Sequence, residues 1–233
     1  MIRSSLGLGR YVALAVSFAA LMPATTVFTF SGLRDSEQVL NAYNGGTGSL
    51  GSSFFNYGVA FAPGALALVD SDVGGTGNFA NAPSPFTVLF STTGMLNLNV
   101  SAGFIEALTF YYVTYGNGAP GSVRILSGVD GGGAQLGSAT LNAVNQICPG
   151  DPQGGFYGCW QSITIPFTGT ARSVAFTLPA LAFGIDNIGL TLPLIENPQA
   201  TSIPEPSSLA MCGGGALGCA WMMLRKTRRG RLR

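Results

Sequence analysis

The sequence predicts an all-β protein, one two-sheet β-sandwich, from three observations. Charged residues make up 9% of the 233 and hydrophobic ones 47%, too apolar for a disordered chain and too poor in charge for a solvated helical one. Glycine occurs 34 times. From Val27 onward, short apolar or alternating runs are broken about every eight to twelve residues by Gly, Asn, Asp and Pro, the spacing of sandwiches and barrels. About eleven such runs between residues 27 and 192 suit a single domain with no internal boundary.

Residues 1–24 carry Arg3 and Arg10, an apolar core from Tyr11 to Met22 and then small residues. That is the layout of a signal peptide, with cleavage expected near Ala24. The body, 25–195, opens on the run VFTF. Asp35 lies three residues before Gln38, the apolar pair Val39 and Leu40 follows, and Asn44-Gly45 ends the segment, so a helical turn or two is expected over 35–43. The remaining runs read as strands: 57–61, 65–69, 86–90, 96–100, 107–115, 122–126, 136–141, 160–167, 173–178 and 183–192. Alternation sets Leu96, Leu98 and Val100 against Asn97 and Asn99, and Val174, Phe176 and Leu178 against Ser173, Ala175 and Thr177, so one face of each strand should be wet. In ALTFYYVTY (107–115) both faces are bulky, as in a central strand with a covered outer face. Asp130-Gly131 reads as a hairpin turn.

Residues 196–203 form a polar linker, and the tail, 204–233, has three parts. Pro204-Glu205-Pro206 comes first, then an apolar run from Ser207 to Leu224, then Arg225, Lys226, Arg228, Arg229, Arg231 and Arg233. The run just suffices to cross a hydrocarbon core of about 30 Å, and the basic end would stop transfer and stay cytoplasmic. One alternative is a core helix with a solvated basic end, and three consecutive glycines, Gly213 to Gly215, argue against it in water. Another is a C-terminal lipid-anchor signal, which has similar grammar but normally lacks a basic terminus.

Composition excludes much. From Arg34 to Ala200 there are three cations and nine acids, a net of 3 − 9 = −6, the wrong sign for nucleic acid. Histidine is absent, which removes the commonest general base, the Ser-His and Cys-His nucleophile pairs and imidazole metal ligands. Carboxylate chemistry and oxygen-ligated cations remain.

Cys148 and Cys159 flank the turn-rich string PGDPQGGFYG and are placed for a disulfide in an oxidising compartment, with two free thiols as the alternative. Asp70 and Asp72, on alternate residues before Gly74, form either a partial calcium loop or a solvated turn. Asp186 interrupts an apolar strand between Ile185 and Ile188 and needs a partner, a cation or backbone amides. Tyr157 and Trp160 are candidate aromatic contacts for a sugar, or ordinary packing. No catalytic residue is assigned.

The order Pro-Glu-Pro, apolar run, basic end resembles the PEP-CTERM sorting tail of exported bacterial proteins. The body resembles a PEP-CTERM family through AYNGG (42–46), GVAF (58–61), GGTGNFANAPSP (74–85), VSAGF (100–104), SVRILSGVDGGGAQLG (122–137) and FGIDNIGL (183–190). The resemblance implies a jelly-roll-like surface or matrix protein. It would be held as an inner-membrane intermediate, processed by an exosortase-type membrane enzyme, delivered to the cell surface or matrix, and associated with exopolysaccharide. FGIDNIGL is also similar to the last-strand signature of carbohydrate-binding-module jelly rolls, which implies a structural calcium on Asp186 with an early acid, Glu37 or Asp35. Three roles therefore compete: a non-catalytic surface role, a carbohydrate-binding module, and a carboxylate glycosidase.

Overall fold

Runs rich in β-branched and aromatic residues, punctuated by glycine turns, form ten strands in the computed structural model, which describes residues 25–114, 120–143, 148 and 157–193. They are β1 (Thr25–Phe28), β2 (Val59–Phe61), β3 (Leu66–Val69), β4 (Thr87–Phe90), β5 (Met95–Thr114), β6 (Gly121–Leu126), β7 (Gln135–Leu141), β8 (Gln161–Pro166), β9 (Ala171–Thr177) and β10 (Phe183–Thr191). The described chain is all-β and every strand pairing is antiparallel. Its one 3₁₀ turn is Ser71–Val73.

Hydrogen bonds join all ten strands into one sheet, in two arrays that meet on β5. In the first array β10 lies between β5 on one side and β4 and β1 on the other, with β3 beyond β4 and β8 on the far side of β5. In the second, the first half of β5 pairs with β2 and β9, and β6 and β7 follow β9. The runs 96–100 and 107–115, expected as separate strands, belong to this one strand. Its pairing with β9 skips between Asn99 and Phe104, where Gly103 has a φ of 87°, and its pairing with β10 shifts between Ile105 and Leu108, where Glu106 has a φ of 73°.

That bulge folds the strand back on itself. Phe176 pairs with Leu96, which is 110 − 96 = 14 residues from Phe110, or about 46 Å along a straight strand at ~3.3 Å per residue. Yet the rings of Phe110 and Phe176 sit 5.2 Å apart, edge to face. The two arrays therefore face each other, and their inward side chains, among them Phe28, Phe104, Leu108, Phe110, Ile125, Phe176 and Ile188, form one core.

Three expectations are corrected. The segment 35–43 is not helical, because Ser36 and Val39 donate their N–H groups to Ala67 and Ala65 beside β3, and Ser36 and Leu40 take φ of 62° and 45°. Asp35, read as a helix cap, instead accepts from the Val69 N–H and the Thr76 hydroxyl. On β9 the outward face is only partly wet: Ser173 is fully buried, its Oγ donating to Gly128 O and accepting from the Gly131 N–H of the β6–β7 loop. In that loop Asp130 and Gly131 both have positive φ, 54° and 73°, and Gly132 N–H bonds Val129 O, a type I′ hairpin turn as the sequence indicates.

The signal-peptide run, the linker, Pro204-Glu205-Pro206, the apolar run and Arg225, Lys226, Arg228 and Arg229 lie outside the described residues. Among the described residues no helix is long and apolar enough to cross a membrane.

Candidate functional site

Two acids of the body are fully buried, and each is surrounded by hydrogen-bond donors of the chain itself. Asp186 sits at a bulge of β10, where pairing with β5 skips from Asp186 to Gly189 and Asn187 takes a φ of 50°. Its carboxylate accepts from the Ser84 N–H at 2.8 Å and the Asn187 N–H at 2.7 Å, and the Ser84 hydroxyl lies 2.7 Å from both of its oxygens. The same hydroxyl is 3.1 Å from Thr29 O, so one side chain ties β10 to the 80–85 loop and to the chain after β1. Burial pushes the Asp186 carboxyl up to about 6, against the opposing pull of the Ser84 and Asn187 donors.

Glu37 is enclosed in the same way. Oε1 accepts from the N–H groups of Leu50 and Ser52, and Oε2 from the Arg34 N–H and the Ser52 hydroxyl. Burial alone would raise this carboxyl, but the four donors outweigh it and hold the group below its ordinary value. Gly48 makes the arrangement possible, since a Cβ there would meet Glu37 Oε1. The loop residues 31–57 are thereby organised around one side chain.

This donor set does not fit a cation. A carboxylate offers about four lone-pair sites, and at Glu37 all four face N–H or O–H donors, leaving none for a metal. Asp186 receives three donors, the Ser84 N–H and hydroxyl and the Asn187 N–H, and beside it Asn187 Oδ1 is buried without a hydrogen-bond partner. Asp70 Oδ1 accepts from the Asp72 N–H and caps the turn that ends at Gly74 in the left-handed region. Among the described residues no three acids or cysteines come close enough together to hold a metal. The expected calcium ligands, Asp186, Glu37, Asp70 and Asp72, thus do not form one site.

Tyr157 and Trp160 are brought to the outer face of the first array. A pocket of about 170 Å³ opens there, floored by Leu68, Val88, Phe90, Val113 and Phe183, with Asn78, Tyr157 and Leu181 at its rim. Leu181 is 63% exposed at a φ of 58°, a strained setting for a large apolar side chain. Trp160 is used for packing: its indole N–H donates to Ala80 O at 2.8 Å, its ring meets Phe79 edge to face, and it sits against Gly184. The outer face of β5 is thus covered at Val113, by the 77–81 loop and by the chain around Trp160, while Ala107, Thr109 and Tyr111 on the same face stay partly exposed.

Cys148 and Cys159 are disulfide-bonded, with Cα atoms 5.3 Å apart, next to the segment that covers this face. Tyr157 bridges Phe79, and the Ala80 N–H bonds Tyr157 O. Reduction is expected to cost about 3 kcal/mol of unfolded-state restriction. A Cys148→Ser/Cys159→Ser variant should melt several degrees lower, with Trp160 emission shifted to the red. Equal melting temperatures with and without reductant would show that the crosslink does not hold this segment.

Sequence reasoning missed the partners. Ser84 and Ser52, the serines that meet the two buried acids, carry no pattern of their own. One signal at Ser84 was present: in Pro83-Ser84-Pro85 the serine supplies the tripeptide's sole backbone N–H, and that N–H goes to Asp186.

No family model matches this sequence, and no curated protein matches it. Among solved structures, the K2 cleaved adhesin domain of Lys-gingipain is similar with a TM-score of 0.46 and 15% identity, over 73% of this chain and 99% of that one. A carbohydrate-binding module of Cellvibrio mixtus lichenase 5A, in complex with cellotriose, gives 0.31 and 12% over 56% of this chain and 88% of that one. A family 11 carbohydrate-binding module from Clostridium thermocellum, in complex with a mixed-linked tetrasaccharide, gives 0.29 and 16% over 70% and 99%. With TM-scores below 0.5, no ligand, partner or activity passes from these proteins to this chain.

Proposed function

We propose that this chain is an exported, non-catalytic surface or matrix protein. In this reading its body is a jelly-roll-like two-sheet sandwich that works by contact with exopolysaccharide, and its tail, 204–233, is a PEP-CTERM device handled by an exosortase-type membrane enzyme. The observation that carries the non-catalytic part is where the carboxyls go. The acid poised to hold a proton near neutrality, Asp186, is sealed from solvent and wrapped by Ser84 and Asn187, so no substrate reaches it. The pocket beside Tyr157 offers hydroxyls and one amide, with no acid or base in its lining. A glycosidase needs two accessible carboxyls facing one bond. The Cys148–Cys159 disulfide supports an oxidising, extracytoplasmic destination.

Deleting Pro204 to Arg233 tests the sorting. The truncated protein is expected in the soluble exported fraction while the full chain fractionates with the envelope. Equal attachment of the two would refute the tail's role, and turnover of any glycan by the purified chain would overturn the non-catalytic assignment.

A further inference from the structure

The two arrays differ on their outer faces. The first is covered around Val88 and Val113, whereas the second presents an open row of polar side chains in register. Asn97 on β5 pairs with Ala175 on β9, Ala175 with Arg124 on β6, and Arg124 with Ser138 on β7. The neighbouring row is Met95, Thr177, Ser122 and Thr140. All of these face away from the core, since Leu96, Leu98, Val123, Ile125, Val174 and Phe176 point into it. Ser122, Arg124, Ser138, Thr140 and Thr177 are exposed. Ala175, the smallest side chain in the row, lies between Asn97 and Arg124 and is 8% exposed. One end of the face is closed by the β6–β7 loop, which folds over it through paired bonds between Asp130 and Asn99.

We infer that this row is a binding platform for a polysaccharide that carries carboxylates, an assignment that rests on the matrix role proposed above and names its ligand class. Charge complementarity selects the occupant. Arg124 has no ion-pair partner among the described residues, and its planar fork matches a carboxylate in bidentate fashion. The flanking amides and hydroxyls suit sugar hydroxyls. Four strands at about 4.8 Å spacing make a row roughly 14 Å across, room for a short run of sugar rings. The stretch from Arg34 to Ala200, of net charge −6, would repel a densely charged polyanion, so sparse carboxylates on a hydroxyl-rich chain fit best.

The test uses the full chain purified in detergent, with a highly methyl-esterified pectin, whose free carboxylates are sparse, as the acidic probe and dextran as the neutral one, read by titration calorimetry. Saturable binding of the pectin is expected. Arg124→Gln should weaken it at least tenfold, Arg124→Lys less so, and Ala175→Trp, which sets a bulky ring in the row and keeps the charge, should abolish it. Arg172→Gln, an equal charge change at an exposed site outside the row, should leave it within twofold. Equal loss in Arg172→Gln, dextran bound as tightly as the pectin, or binding to neither polymer would each overturn the platform. The sorting tail is judged separately by fractionation, so failure here leaves that reading standing.

Discussion

Glu37→Ala is expected to destabilise the fold by about 3 kcal/mol, because it removes the shared acceptor of the part-buried Arg34, Leu50 and Ser52 N–H groups, bonds worth ~0.5–1.5 kcal/mol each. Glu37→Gln should cost less, about 2 kcal/mol, since an amide oxygen keeps one pair of donors while the NH₂ faces the Arg34 N–H. The pH dependence distinguishes charge from shape. Glu37's folded value is lowered, so its contribution is complete above its ordinary 4.5 and is lost as pH falls through the lower folded value. The Gln variant should lack that acid limb in urea titrations. A variant that unfolds with the native acid limb would show that Glu37 does not organise residues 31–57.

Asp186 works in the opposite direction, and its neutralisation should change the pH profile by a comparable amount. Its folded value is raised from 3.8 to about 6, so between these values the folded state holds more protons than the unfolded one. Stability from this group is therefore greatest below about pH 4, falls as pH rises through 6, and is then flat. The span, 6 − 3.8 = 2.2 pH units, corresponds to about 3 kcal/mol. Asp186→Asn removes this dependence but turns an NH₂ toward either the Ser84 or the Asn187 N–H, a loss of ~1–3 kcal/mol. The variant should lie within about 1–2 kcal/mol of the native protein at pH 7 and fall clearly below it at pH 4.5. Urea midpoints at the two pH values measure this, and parallel native and variant profiles would reject the assignment.

The strands were legible where one side of the chain is dry. Leu96/Leu98/Val100 and Val174/Phe176/Leu178 declare their faces by period two, and Asp130-Gly131 declares its turn because positive φ at both positions is a local demand. What stayed hidden depends on distant partners. Nothing local says that 96–114 remains one hydrogen-bonded strand through a bulge at Gly103 and Glu106, since the break itself looks like a loop. The helix expected at 35–43 followed from a genuine capping pattern, overridden by the carbonyls of Ala67 in β3 and Ala65 just before it, which accept the N–H groups of Ser36 and Val39. An acid among apolar neighbours, as at Asp186, announces that something must satisfy it. That the answer is Ser84, 102 residues earlier, is settled only by the fold.

The position of β10 sets the order in which the molecule can be built. β1, β4 and the second half of β5 all bond to this strand, and Thr25 at the start of β1 meets Thr191 at its end, 166 residues on. The last of the described strands to emerge from a ribosome or a translocation pore is therefore an interior one. Until residues 183–191 arrive, three earlier strands wait with open hydrogen-bonding edges, a non-local topology whose folding takes milliseconds to seconds. A chain arrested before this strand would expose those edges to its neighbours, so closure of the first array waits on the arrival of residues 183–191.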